Sequence, residues 1–315
     1  MKKLTIFLLV LAMLLALPLF TACTPPPDEQ PSDNEQPGDT ENPGNTEDTG
    51  NTEEPGNTED PGNTEGPNNQ EKPEPEEPEV LKLRIGSFNI ANGSYVSHNL
   101  KKIADDILEL DLDIIGFQEV DYLSSRSANL DTLKVLSEMT GYKYYYFSKA
   151  ISLTSYGITG DYGTGILSKY PITFEETTQL ASGGYEQRVL GHVIIQVEDA
   201  EIHFFNAHLT YNTLDVRKSQ MEFIEEAVWR HDYCILTGDF NIEALEEYET
   251  IESLTGVSNE DNPLHSYWKE ETPPWPTECL DNIMYSDDFI LLDCGVVDDR
   301  KHSDHYMIWA EFEVD

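Results

Sequence analysis

Between Thr24 and Glu79 the chain carries no aromatic side chain and almost no aliphatic one, while 18 acidic residues stand against a single basic one, Lys72. A segment of that composition cannot bury enough apolar surface to offset the entropy of ordering it, so it is excluded from any folded core. Within it, five hexapeptide copies follow one another from Pro37 to Gly66, reading PGDTEN, PGNTED, TGNTEE, PGNTED and PGNTEG. The composition predicts a disordered, solvated spacer with a mean reach of about 40 Å, longer where its like charges repel. Folding is thereby confined to residues 80–315, where no second Pro/Gly-rich linker intervenes, and one large domain is the simplest reading.

Ahead of the spacer, Met1-Lys2-Lys3 gives a short positive start and residues 4–20 are almost wholly apolar. That run is short for a spanning helix, which needs roughly 20 residues, and residues 1–22 read as a secretory signal. The small residues before a lone cysteine in Leu19-Phe20-Thr21-Ala22-Cys23 resemble a bacterial lipobox, with Phe20 where Leu is usual. The resemblance implies cleavage before Cys23 and attachment of a lipid to its sulfur. Residues 23–79 would then tether the domain at the extracytoplasmic face of a cell membrane.

The chain's net charge of −41 is divided between the spacer and the domain, which still holds 42 acidic residues against 16 basic ones. Such a balance excludes a broad basic surface for gripping nucleic acid. It does not exclude a phosphate site built from a bound cation and a few local donors. Besides Cys23 there are only Cys234, Cys279 and Cys294, which is no disulfide framework. Cys234 lies in an apolar run and reads as buried, and a Cys279–Cys294 bridge is the pairing an oxidising compartment would permit.

Strand-like runs occur at 81–90, 113–118, 165–168, 192–197, 202–208, 233–239, 280–285 and 307–314, and the cluster Tyr142, Tyr144, Tyr145 and Tyr146 reads as strand and core. Helical periodicity places Leu100, Ile103, Ala104, Ile107 and Leu110 on one face. Leu133, Leu136 and Met139 follow an Asp131 cap and stop at Gly141. A third helix is predicted from Val216, Phe223, Ile224, Ala227 and Val228, and a fourth from Leu245, Tyr248, Ile251 and Leu254, ending at Gly256. Strands with helices between them indicate an α/β layered fold, and many short strands favour two sheets packed face to face with helices outside.

Several strands finish on a polar or ionisable group: Asn89, Glu119, His208, and Asp239 with Asn241. Asp281 opens a later strand, and His302-Ser303-Asp304-His305 precedes the last one. Any one of these is more often a turn former or helix cap than a catalytic group. Together they supply carboxylates, amides and histidines, the set that hard-cation phosphate chemistry uses.

On these residues the domain resembles the endonuclease/exonuclease/phosphatase superfamily of metal-dependent phosphoesterases. The resemblance is carried by SFNI at 87–90, DIIGFQEV at 113–120, GTGILSKYPI at 163–172, NAHL at 206–209, GDFN at 238–241, LDNIMYS at 280–286 and SDH at 303–305, in matching order and spacing. It implies a four-layered α/β sandwich, with two central, mainly antiparallel sheets, outer helices and a site at one end. It further implies Glu119 as the main metal ligand with Asn89 and Asp304 beside it, and Mg²⁺ or Mn²⁺ as the ion, Ca²⁺ being an alternative. Asp239 and Asn241 would hold water and the scissile phosphate. His305, oriented by Asp281, would act as general base or phosphate-stabilising imidazole, and His208 would stabilise the phosphoryl oxygens or protonate the leaving group. Arg188 sits where relatives often carry an arginine, with phosphate contact and a structural ion pair equally open.

The implied reaction is in-line attack of water on a phosphoester, with phosphodiester hydrolysis the leading reading. DNA, a sphingomyelin-like phospholipid, and inositol or nucleotide phosphates remain open as substrates, because one fold hosts many. A binding module that had lost turnover would show a replaced catalytic position, and none is replaced. A monomer is expected. His98, His192, His203, His231 and His265 match no motif and read as packing or solvated, and a zinc reading of His302-x-x-His305 is disfavoured by the surrounding carboxylates. Trp268 and Trp275 are the candidates for an exposed aromatic edge, with packing against the core the simpler reading.

Overall fold

A computed structural model describes residues 80–154, 157–267, 278–299 and 301–315. The predicted signal, Cys23, the repeat spacer, Trp268 and Trp275 lie outside them. No helix among the described residues is long and apolar enough to cross a membrane.

Twelve strands form two six-stranded sheets. The first contains β1 (Lys82–Asn89), β2 (Ile114–Tyr122), β3 (Tyr144–Ser152), β4 (Asp161–Ser168), β11 (Phe289–Val296) and β12 (Ile308–Val314), in the order β11-β12-β1-β2-β4-β3. The second contains β5 (Ile172–Gln179), β6 (Val189–Val197), β7 (Ala200–His208), β8 (Cys234–Asp239), β9 (Thr255–Gly256) and β10 (Asp281–Tyr285), in the order β5-β6-β7-β8-β10-β9. Each sheet is antiparallel except for one central parallel pair, β1 with β2 and β7 with β8. Parallel neighbours need a crossover, and each crossover carries a helix onto an outer face: α1 (Lys101–Glu109) on the first sheet and α3 (Leu214–Val228) on the second. With α2 (Thr132–Thr140) beside α1, the layers run helix, sheet, sheet, helix, the expected four-layered α/β sandwich.

Alternation along the strands divides the core into three. Leu83, Ile85, Val193, Ile195, Phe204, Ile235 and Phe312 fill the space between the sheets. Phe88, Ile115 and Phe117 face outward onto Ile103, Ile107 and Leu136 of α1 and α2. Phe205, Leu236 and Met284 face Met221, Ile224 and Val228 of α3. Toward the end of the sandwich where Asn89, Glu119 and His208 lie, the two sheets are also joined by a buried polar stitch. The Gln118 amide donates to Asn206 Oδ1 at 2.8 Å, and Asn206 Nδ2 donates across to the carbonyls of Phe117 and Gly165 at 2.9 and 2.8 Å. Gly116 permits this approach, because a Cβ there would fall 2.0 Å from Thr237 Oγ1.

Capping follows the sequence. Asp131 accepts from the Lys134 amide, and Gly141 ends α2 at φ 79°, in the left-handed region that glycine adopts freely. Three expectations are corrected, and the open question of a Cys279–Cys294 bridge is answered. The predicted fourth helix is only a short 3-10 turn over Leu245–Thr250, and Gly256 pairs with Met284 in a strand instead of capping a helix. In α3, Phe223 is exposed, and the buried face includes Arg217, gripped by Glu247 at 2.8 Å, a polar anchor that an apolar count cannot see. Met139 is likewise exposed. Cys279 and Cys294 are free thiols, the first beside His265 and the second beside Asn262. The edge strands β5, β9 and β11 had no clear signal, since β5 carries Glu175, Glu176, Thr177 and Thr178 in succession.

Candidate active site

Both parallel pairs end at the same edge of the sandwich, and the antiparallel β10 and β12 begin there. β1 therefore delivers Asn89, β7 His208 and β8 Asp239. β10 opens on Asp281 directly across from Asp239, and the chain entering β12 supplies His305. Glu119 arrives by a bulge. The pairing of β2 with β4 shifts between Phe117 and Val120, and Glu119 stands in it at φ 56°, an unfavourable backbone for a non-glycine residue. The bulge re-aims its side chain toward the cleft. Below it, Arg126 holds the buried Asp121 carboxylate with two hydrogen bonds, of 2.8 and 2.7 Å, fixing the end of the strand.

Asp239 Oδ2 is the focus. It accepts from Asn89 Nδ2 at 2.8 Å and lies 3.4 Å from His208 Nε2 and 3.6 Å from His305 Nε2. Its Oδ1 accepts from the Asn241 amide at 3.1 Å, and the Asn241 side chain donates to the Leu209 carbonyl at 3.0 Å. Asn241 makes this turn at φ 49°, which asparagine tolerates. Asn89 also reaches Glu119 Oε1 at 3.3 Å. His305 Nδ1 donates to Asp281 Oδ2 at 2.7 Å, and Ser266 Oγ donates to the same oxygen at 2.5 Å.

The two histidines carry different charge. Burial pulls His305 toward neutrality, but the carboxylates of Asp281 and Asp239 outweigh it and hold the imidazolium up to about 10. Burial, Arg188 and His305 together push His208 well below the ordinary histidine range. Arg188 Nη1 lies 3.1 Å from His208 Nδ1 and can only donate, so Nδ1 accepts and the His208 proton sits on Nε2. Burial lifts Asp239 to about 7 against the pull of His305, and burial also lifts Glu119.

Of the ten site residues named from sequence, Cys23 lies outside the described residues, and the structure brings the other nine together. Arg188 is buried, lines the cleft, and its Nη1 touches both His208 and Glu186. Asp304 is held by Ser303 Oγ at 3.0 Å and lines the cleft near Glu119. His302 turns away to Asp106 at 2.6 Å, which removes the His-x-x-His zinc reading. Sequence reasoning missed Ser266, which orients Asp281, and Tyr267, whose ring lies 4.9 Å from that of His305. Both sit on a loop with no periodicity to mark it. The cleft has a volume of about 360 Å³, and Tyr211, Glu243 and Glu278 complete its rim.

The donor set fits a hard divalent cation. Glu119, Asp239 and Asp304 line the cleft with carboxylates, Asn89 stands between the first two, and the buried Asp281 Oδ1 has no partner, while His305, charged between Asp239 and Asp281, supplies no lone pair. Oxygen-rich sites of this kind select Mg²⁺ or Mn²⁺ over softer ions.

Comparison with known proteins agrees. The endonuclease/exonuclease/phosphatase family matches residues 86–305, and the chain belongs to that family, whose members are divalent-metal-dependent phosphoester hydrolases. A sequence search of curated proteins returned no match. Among solved structures, the chain is similar to an endonuclease/exonuclease/phosphatase from Beutenbergia cavernae (TM-score 0.61, 19% identity, 74% of this chain and 72% of that one). It is also similar to a mannosyl-6-phosphatase of Bacteroides thetaiotaomicron (TM-score 0.59, 20% identity, 73% and 99%). A third is D. rerio TDP2 complexed with a single-stranded DNA product (TM-score 0.57, 16% identity, 74% and 99%). These identities speak to the fold alone.

Proposed function

We propose that this chain is a cell-surface phosphoester hydrolase, tethered through Cys23 and the acidic spacer and acting as a monomer, that cleaves compact phosphodiesters or phosphomonoesters by one-step, in-line attack of water. The observation that carries the reading is the convergence of Asn89, His208 and His305 on Asp239 Oδ2, with Glu119 hydrogen-bonded to the same Asn89.

Asp239, lifted toward neutral pH and oriented by the Asn89 and Asn241 amides, takes the proton from the attacking water. His305, kept cationic by Asp281, meets charge that develops on a phosphoryl oxygen. His208 donates from Nε2 as a neutral group, so it stabilises an oxygen and does not deliver a proton from a cationic ring. Arg188 fixes that tautomer from the wall of the cleft. Glu119, with Asn89 and Asp304 beside it, would hold the divalent cation, which neutralises charge on the phosphoryl oxygens.

The rim argues for a compact substrate. Among the described residues lining the cleft, Arg188 is the one arginine or lysine, while Glu243 and Glu278 stand with Tyr211 and Tyr267. A nucleic-acid strand presents repeated phosphates and needs repeated cations. A leaving group that is neutral and hydroxyl-bearing, or cationic, meets carboxylates and aromatic faces favourably. A sugar phosphate of the kind named for the Bacteroides phosphatase fits this rim better than the DNA strand bound by TDP2.

The test is a panel of a hexose phosphate, an inositol phosphate, a nucleotide diester, sphingomyelin and double-stranded DNA, each with Mg²⁺, Mn²⁺ and Ca²⁺. Hydrolysis of a compact ester is expected, with Glu119→Gln, Asp239→Asn and His305→Ala each lowering kcat/KM at least about 10³-fold. Full activity in all three variants overturns the assignment.

A further inference from the structure

Away from the catalytic cleft, on the outer face of the second sheet, three histidines stand together. His192 on β6 and His203 on β7 point to the α3 side, and His231 closes over them just where α3 has ended at Val228. His192 Nε2 lies 3.1 Å from His203 Nδ1, a hydrogen bond between the two rings. The rings stack on one another and on Phe205, with His203 and His231 centroids 3.9 Å apart and His192 and Phe205 4.0 Å apart. One ligand nitrogen from each histidine falls within 4.8 Å of the others.

We propose that His192, His203 and His231 form a second metal site, specific for a transition-metal cation of the zinc type and separate from the catalytic centre. Three imidazoles without a carboxylate among them are a nitrogen donor set, which suits Zn²⁺, Cu²⁺ or Ni²⁺ and rejects Mg²⁺. A tetrahedral ion with bonds of about 2.0–2.1 Å separates its ligands by roughly 3.3 Å. The His192–His203 spacing of 3.1 Å already meets this. Capture requires the His231 ring to turn out of its stack on His203, and that ring is carried by the chain between α3 and β8. Burial and the neighbouring imidazoles hold His192 down to about 3 and lower His203 as well, so lone pairs are present at neutral pH.

Two concavities, of about 760 and 360 Å³, meet at His231, the first lined by His203 and Asp232 and the second by His192, Glu176 and Glu226. They give the ion an entry and offer carboxylates for its remaining position. His203 precedes His208 by five residues on β7, so the two centres lie roughly 17 Å apart along the strand. An ion here would clip the end of α3 to β6 and β7 without touching substrate.

The experiment titrates ZnCl₂, and separately CoCl₂, into the full chain carrying Glu119→Gln and Asp239→Asn, which disable the catalytic ligands. One equivalent of zinc is expected, with a rise in Tm and a tetrahedral Co²⁺ absorption band. His231→Asn and, independently, His203→Asn in that background should weaken zinc binding at least tenfold and remove the band. In the otherwise unchanged chain, His231→Asn should leave Mg²⁺-dependent hydrolysis intact. No zinc uptake by the double variant, or undiminished uptake after both histidine substitutions, overturns the proposal.

Discussion

His305 and His192 are both imidazoles withdrawn from water, and burial pulls each toward its neutral form. Beside His305 stand Asp281 and Asp239, and the ring remains a cation up to about 10. Beside His192 stand His203 and His231, whose like charge adds to burial, and the ring falls to about 3. What separates them is their neighbours, not how deeply they lie. Carboxylates make of histidine a fixed positive charge that can face a phosphoryl oxygen. Other imidazoles make of it a lone-pair donor.

Removing Asp281 attacks this contrast most strongly. Asp281→Asn should move the alkaline limb of the pH–rate profile down from about 10 toward the ordinary histidine range and lower kcat by about 10²-fold or more. A limb that does not move would mean that Asp281 is not what holds His305 charged. The second test is on stability. A raised histidine contributes stability below its unfolded value of about 6.5 that is lost as pH rises through the folded value, whereas a lowered one contributes above 6.5 and is lost as pH falls. His192 should therefore destabilise the fold between pH 6.5 and about 3. His192→Phe, packing on Phe205, should flatten the fall in urea midpoint between pH 7 and 4.5, and an unchanged slope would refute the lowered value.

A smaller effect concerns the carboxylates alone. Burial raises Glu119, so its unfavourable contribution is absent in acid, grows as pH rises past the ordinary value of 4.5 and is complete above its folded value. In EDTA, Glu119→Gln should raise Tm by roughly 2–4 °C at pH 8 and leave it unchanged at pH 4, as read by calorimetry. The smallest change is expected at the hydroxyl that steadies Asp281. Ser266→Ala should lower kcat by about 2–10-fold with KM preserved, because Asp281 keeps its bond to His305.

Much of this was legible in the sequence for a physical reason. Strands flanked by helices announce themselves by alternation, and the groups that line the cleft stand where each apolar run stops, as Asn89, His208 and Asp239 do. What was hidden depends on neighbours distant along the chain. Arg217 reads as a solvated helix residue until Glu247 is seen to bury it. Leu245, Ile251 and Leu254 have helical spacing, yet the chain turns after Thr250 so that Gly256 can pair with Met284. His192, His203 and His231 look incidental singly, since β6 and β7 become neighbours only through the sheet register that sets Ile194 against His203. Ser266 carries no pattern at all.

The pairing of β1 with β12 sets Lys82 against Glu313. The first and last strands of the domain are thus adjacent, and Asn89 meets the histidine that precedes the final strand only when nearly the whole domain has been made. Long-range closure of this kind slows folding, because the chain must surrender loop entropy before any contact rewards it. A chain that stops short of β12 holds Asn89, Glu119 and His208 but lacks His305, so the cluster on Asp239 is complete only when the last strand has docked.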